Sequence, residues 1–236
     1  MLLDYLNAHG VDTRYVRVIE QPTGHAVIQV EPQGNNCILL FGGANRCVQQ
    51  YDIEDVIGQF GKGDYLVLQN EVNRIEEMME AAKQRGMAVV FNPSPIADNL
   101  NNIRLEQIDW LILNEVEARE ICGERGEADV VGTLRRMFPH AHVVLTLGER
   151  GAVYAYGGDV IRQDACLVKA VDTTAAGDTF TGFFVAAIAA GAAVGEAMRD
   201  ASRAAAIAVT RPGASASIPR AEEVRAARQA LGLPEA

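Results

Sequence analysis

The stretch VDTTAAGDTFTG, residues 171–182, passes from a β-branched opening into Ala-Ala-Gly-Asp and then into an almost uncharged run. If a helix begins near Ala176, the amides of Ala175, Ala176 and Gly177 lie unpaired at its first turn, and their small side chains let an anion approach. Asp178 would then stand beside the anion, where a carboxylate can take a proton from an attacking hydroxyl. The same spacing also suits a plain N-terminal cap with packing glycines.

Upstream of this stretch the chain alternates strand and helix. A strand over 65–68, a charged amphipathic helix over 72–85 and a strand over 87–91 closing on NPSP make a βαβ unit. The rhythm continues with WLIL at 110–113, a helix over 115–121, a second around 131–137 and VVLTL at 143–147, so a mostly parallel sheet is expected. Residues 151–156 and 160–165 flank Gly157-Gly158 as a hairpin. Downstream, Ala-rich helices are expected over about 176–190 and 194–209, then the loop RPGASASIP and a helix over 222–231. At the other end, residues 2–9 read as the tail of a helix capped by Gly10. GHAVIQV (24–30) and CILLF (37–41) read as strands joined through EPQGNN, after which Gly42, Gly43 and Ala44 demand a close backbone path. Ligands of open α/β sheets gather at the carboxyl ends of strands, here Asn92, Asn114 and Leu147.

Composition narrows the function. The 236 residues are enough for one large α/β core, and no low-complexity tract interrupts them, so a single domain over 1–236 is expected. Acidic residues outnumber basic ones 31 to 21, and a net charge of -10 argues against a nucleic-acid surface. An anionic ligand would need helix N-termini, backbone amides or Mg²⁺. Cys37, Cys47, Cys122 and Cys166 form no C-x-x-C and the histidines no H-E-x-x-H, so structural zinc is not expected. With no basic-then-apolar leader, the cysteines read as reduced thiols in a cytoplasmic protein. Residues 179–195 are uncharged, but their Ala and Gly content, the flanking Asp178 and Glu196, and Gly191 suit a packed helix and not a membrane span. The chain has neither G-x-x-x-x-G-K-[ST] nor G-x-G-x-x-G, so a nucleotide site must be of another type.

VDTTAAGDTFTG resembles the C-terminal signature of the ribokinase-like, or PfkB-type, carbohydrate kinases. Further pieces fall in that family's order: GVDT at 10–13, TGHAVIQV at 23–30, GGAN at 42–45, NPSP at 92–95, NEVE at 114–117, TLGERG at 146–151 and AAAIAVTRPGA at 204–214. The resemblance implies a three-layer α/β/α sandwich with a mostly parallel central sheet and the remnant of a small β lid, its strands at about 23–41. It implies ATP-dependent phosphoryl transfer to a sugar hydroxyl, with Asp178 as the base and Ala175, Ala176 and Gly177 as the anion hole. Asn114 and Glu117 match an N-x-x-E pair that organises Mg²⁺ through water. Thr146, Gly148, Glu149 and Gly151 match the loop along the nucleotide, with Ser202 where ribokinases often place a His against the adenine. Asp172 and Thr174, carbonyls near Val209, Pro212 and Gly213, and the Ser217 hydroxyl match a monovalent-cation site, so K⁺ is expected as an activator. Gly42 and Glu71 match positions facing the acceptor sugar. A homodimer is expected, because lid strands in this family often pair between subunits.

One departure bears on activity. Full-length members open with a strand carrying a sugar-binding Asp and a G-G-K-x-x-N signature, and this chain has neither. An N-terminal segment is therefore expected to be missing, leaving an edge of the sheet uncovered. The alternative reading is a catalytically impaired homologue that serves as a nucleotide-binding or assembly subunit.

Overall fold

A computed structural model describes residues 2–30, 36–96, 104–123 and 127–230. The helices are α1 (Leu2–Ala8), α2 (Gln50–Ile57), α3 (Ile75–Gln84), α4 (Glu115–Cys122), α5 (Glu127–Met137), α6 (Ala176–Ala189), α7 (Val194–Val209) and α8 (Ala221–Ala230). The strands are β1 (His25–Val30), β2 (Asn36–Phe41), β3 (Tyr65–Gln69), β4 (Ala88–Asn92), β5 (Trp110–Asn114), β6 (His142–Thr146), β7 (Ala152–Tyr156) and β8 (Asp159–Gln163).

β3 to β8 form one sheet in sequence order. The β3–β4, β4–β5 and β5–β6 pairs are parallel, and the β7–β8 hairpin adds antiparallel to β6. Its tight turn closes on the pair Tyr156↔Asp159, as Gly157-Gly158 predicted. The apolar runs of the central strands are long because both faces are buried. Val89, Phe91, Leu111, Leu113, Val143 and Leu145 point into a core completed by Ile53, Ile75, Met79 and Leu134 of α2, α3 and α5. Their neighbours Val90, Trp110, Ile112 and Val144 point the other way, against Phe180, Phe184, Met198 and Ala201 of α6 and α7. The molecule is thus a three-layer α/β/α sandwich with a mostly parallel sheet. β1 and β2 stand apart as an antiparallel ribbon running from His25↔Phe41 to Val30↔Asn36, the small β lid. Its turn at Gly34-Asn35 lies outside the described residues.

The uncharged run is two helices and not one. At Gly191 (φ +85°) the amide reaches Ile188 O at 2.9 Å and that of Ala192 reaches Ala187 O at 3.0 Å, a left-handed helix ending that glycine adopts without steric cost. Among the described residues no helix is long and apolar enough to cross a membrane. One boundary and one element depart from the sequence reading in ways the structure explains. α3 starts at Ile75 rather than 72, because Asn73 instead exchanges hydrogen bonds with the backbone of Val48 and Arg74 takes a left-handed conformation. α2 has no counterpart in the sequence reading; a capping box between Gln49 and Asp52 starts it, and Ile53 and Ile57 are its buried stripe.

Candidate functional site

The apolar strands turn polar where they end. β3, β4, β5 and β6 finish at Gln69, Asn92, Asn114 and Thr146, with Gln69 beside Asn92 and Asn114 beside Thr146 in register. All four line a cavity of about 170 Å³ with Thr173, Ala175, Ala176, Gly177 and Asp178. β6 ends one residue earlier than the expected Leu147, whose side chain is buried in the core.

α6 aims its first turn at this row. Ala175 caps it in the left-handed region (φ 59°), which is uncommon and strained for a residue with a Cβ. Among the described residues the N–H groups of Ala175, Gly177 and Asp178 have no acceptor, whereas Thr179 N–H already reaches Ala175 O at 2.9 Å. The expectation that Ala176 is free too is corrected: its amide makes a long turn bond of 3.3 Å to Thr173 O. Asp178 is exposed, and its Oδ1 accepts from Gln69 Nε2 at 3.2 Å. Gln69 was not found from sequence; a glutamine closing an apolar strand carries no motif.

Asn114 and Glu117 hold each other. The Asn114 Oδ1 accepts from the amides of Val116 (2.9 Å) and Glu117 (3.0 Å), while Glu117 accepts from Asn114 N and Nδ2, both at 2.8 Å. This capping box fixes the start of α4 and turns a carboxylate that is 7% exposed toward the Asp178 cavity.

A second cavity of about 360 Å³ shares Thr146, Thr173, Ala176 and Gly177 with the first, so one cleft crosses the mouth of α6. Gly148, Glu149 and Gly151 from the turn after β6 and Ser202 from α7 line it. At Gly151 (φ +90°) an added Cβ would lie 1.9 Å from Gln163 O, so the turn after β6 lies directly against the end of β8. The far wall, Ala165, Cys166, Leu167 and Val168, escaped the sequence reading. It lies between β8 and the signature, and only Ala165 falls within the strand expected over 160–165. Burial pushes the Cys166 thiol up, partly offset by Arg203.

Behind α6, Asp172 accepts from Thr174 N and Gly213 N, both at 2.9 Å. Hydrogen bonds from the Thr174 side chain and from the Gly213 and Thr174 amides bring its carboxyl down to about 2. Val209 O takes two amides, Val171 at 2.7 Å and Asp172 at 3.2 Å. Ser217 is fully buried and donates to Ala214 O at 2.7 Å. Gly42 and Glu71 line neither of these cavities; they lie on adjoining segments joined by Arg46 Nη1 donating to Val72 O at 2.9 Å.

This is an α/β sandwich of the open-sheet class, with free helix-terminal amides of the kind that favour an anion facing the polar row that ends its sheet. The chain belongs to the pfkB family of carbohydrate kinases, whose model matches residues 1–221. It is 35% identical over 222 residues to the ribokinase of Haemophilus influenzae, covering 91% of this chain and 72% of that one. It is also 35% identical to the ribokinase of Schizosaccharomyces pombe, covering 94% and 73%. Among solved structures, ribokinase from Thermotoga maritima superposes with a TM-score of 0.78 at 33% identity, covering 95% of this chain and 75% of that one. Arabidopsis thaliana ribokinase complexed with ribose and ATP gives 0.80 at 30% identity, covering 95% and 74%. Family membership supports sugar phosphorylation.

Proposed function

We propose that this protein transfers the terminal phosphoryl group of ATP to a hydroxyl of a sugar. The observation that carries the reading is the cleft crossing the mouth of α6: an apolar cavity on one side, free amides in the middle, and Asp178 in the polar cavity beyond. The nucleotide lies in the larger cavity, along Thr146, Gly148, Glu149 and Gly151, with its base toward Ser202. The acceptor hydroxyl attacks the terminal phosphorus in line while Asp178 takes its proton, and the amides of Ala175 and Gly177 steady the developing charge. Ala176 contributes once its long turn bond yields. Gly42 and Glu71 are assigned to the sugar side.

Asn114 and Glu117 suit Mg²⁺, since a buried carboxylate and an amide oxygen are hard donors for an ion that keeps most of its waters. Such an ion would neutralise charge between the phosphates. Asp172, Thr174, Ser217 and the carbonyls of Pro212 and Gly213 are an all-oxygen set that suits K⁺, and Val209, whose carbonyl already accepts two amides, closes that loop on the signature. The exposed apolar lid ribbon favours a homodimer, the charge of -10 disfavours nucleic acid as a partner, and the free thiols of Cys47 and Cys166 favour the cytoplasm. The comparisons lend no support to a role as a subunit without catalysis.

The test is ADP release across a panel of pentoses and hexoses with ATP, Mg²⁺ and K⁺. Release that depends on one of the sugars is the expected result; nucleotide binding with no sugar-dependent release removes the proposal.

A further inference from the structure

Asp178 has a second use open to it. As the third residue of α6 it stands where a carboxylate folds back onto the amide of the residue just before the helix, the closure of a capping box. Three other helices of this molecule close in that way. Gln49 N–H donates to Asp52 at 2.8 Å at the start of α2, Asn114 N–H to Glu117 at 2.8 Å at α4, and Arg220 N–H to Glu223 at 2.7 Å at α8. At α6 the same pairing stays open. Ala175 N–H has no acceptor among the described residues, and Asp178 Oδ1 accepts instead from Gln69 Nε2 at 3.2 Å.

Closing the box at α6 would disable the site twice, because the carboxylate would leave the place of the base and one amide of the anion hole would be used up. It would also be favourable locally. A helix-terminal amide gains an anionic acceptor, and Ala175 can leave the left-handed region (φ 59°) for the extended backbone that Gln49 and Asn114 adopt before their helices. The open arrangement therefore needs a hold from outside the helix, and Gln69 supplies it from the end of β3. That strand end is itself fixed: Asn70 is 1% exposed, its N–H donates to Ser94 O at 2.9 Å and its Nδ2 to Pro95 O at 2.7 Å. A neutral amide suits the task, since it orients a carboxylate without the charge by which Lys or Arg would weaken it as a base.

We infer that Gln69 is a positioning residue that keeps Asp178 from capping its own helix, and so keeps the base and the Ala175 amide available together. The inference rests on the phosphoryl-transfer reading above and adds to it the residue that holds the site open.

The test is calorimetric titration of ADP and of a non-hydrolysable ATP analogue into the wild type, Gln69→Leu and Gln69→Glu, with turnover measured beside it. Leucine removes the donor, and glutamate replaces it by a second carboxylate that repels Asp178. With Asp178 folded back, the terminal phosphoryl group loses the Ala175 amide, so both variants should bind the analogue about tenfold more weakly, whereas ADP, which lacks that group, should bind as in the wild type. Turnover should fall by about ten- to a hundredfold, the effect of a misplaced base. Analogue affinity unchanged in both variants overturns the inference. So does an equal loss of ADP affinity, the mark of general damage to the cleft. A wild type that binds both nucleotides and phosphorylates no sugar overturns the proposed function, while the comparison of analogue with ADP still decides the role of Gln69. Binding of neither nucleotide by the wild type overturns both.

Discussion

Asp178 is the third residue of α6, next to the free amide of Gly177, and one of its oxygens is held by Gln69 from the end of β3. This geometry leaves the second oxygen for an acceptor hydroxyl. Asp178→Asn keeps the size and loses the base, so turnover should fall by about 10²- to 10⁴-fold while ADP affinity measured by calorimetry stays close to wild type. Unchanged turnover would take the role away from Asp178. Asp172 makes a different prediction, about stability. Its carboxyl is held at about 2 against an ordinary 3.8, so its contribution is complete above the unfolded value and is lost as pH falls through the folded one. The gap in thermal midpoint between wild type and Asp172→Asn should be constant above about pH 4 and shrink below it; a gap that widens in acid contradicts the assignment. At this scale the sequence was readable where function fixes a local run, as in 171–182. Gln69 and Cys166 were not, because their place at the site depends on which strand ends and loops the sheet brings together.

The element that ties fold to site is the start of α4. Asn114 caps the helix and at the same time supplies two donors to a buried carboxylate. Asn114→Ala removes the cap and one of the two donors to Glu117, a loss of about 1–3 kcal/mol. Differential scanning calorimetry should show a fall in Tm of roughly 2–12 °C for a chain of this size. Asn114→Ser restores an N-cap oxygen and should recover part of that Tm, but not the Mg²⁺ dependence of turnover, since the amide that orients Glu117 stays missing. Equal recovery of both would reduce the pair to a helix cap. Elements with long apolar runs and clear ends, β4 to β7 and α6 and α7, were legible in the chain. α2 was not: its inward stripe is only Ile53 and Ile57, and its capping box begins with Gln49, outside the usual Ser, Thr, Asp and Asn.

Across the whole molecule, the six-stranded sheet buries both of its faces, while the described apolar side chains of the lid ribbon are exposed on both of its sides. Successive side chains of a strand point to opposite sides, and adjacent Leu39 and Leu40 are 57% and 56% exposed, with Val27 paired to Leu39 and 49% exposed. A two-stranded ribbon alone is marginally stable, so two uncovered apolar faces call for two partners. We assign one of them to a second ribbon, as proposed for the dimer. Sedimentation of the wild type at micromolar concentration should give a dimer, and Leu39→Asp combined with Leu40→Asp a monomer. The single Trp110, stacked on His142 at 4.1 Å in the core facing α6 and α7, reports by its fluorescence whether that variant keeps its fold. Salt gives the sharper test. Two copies that each carry -10 repel one another, and an apolar interface has few ion pairs to lose, so screening should tighten the dimer as ionic strength rises. A dimer that loosens with salt would be held by ion pairs, and the apolar ribbon would not be its interface.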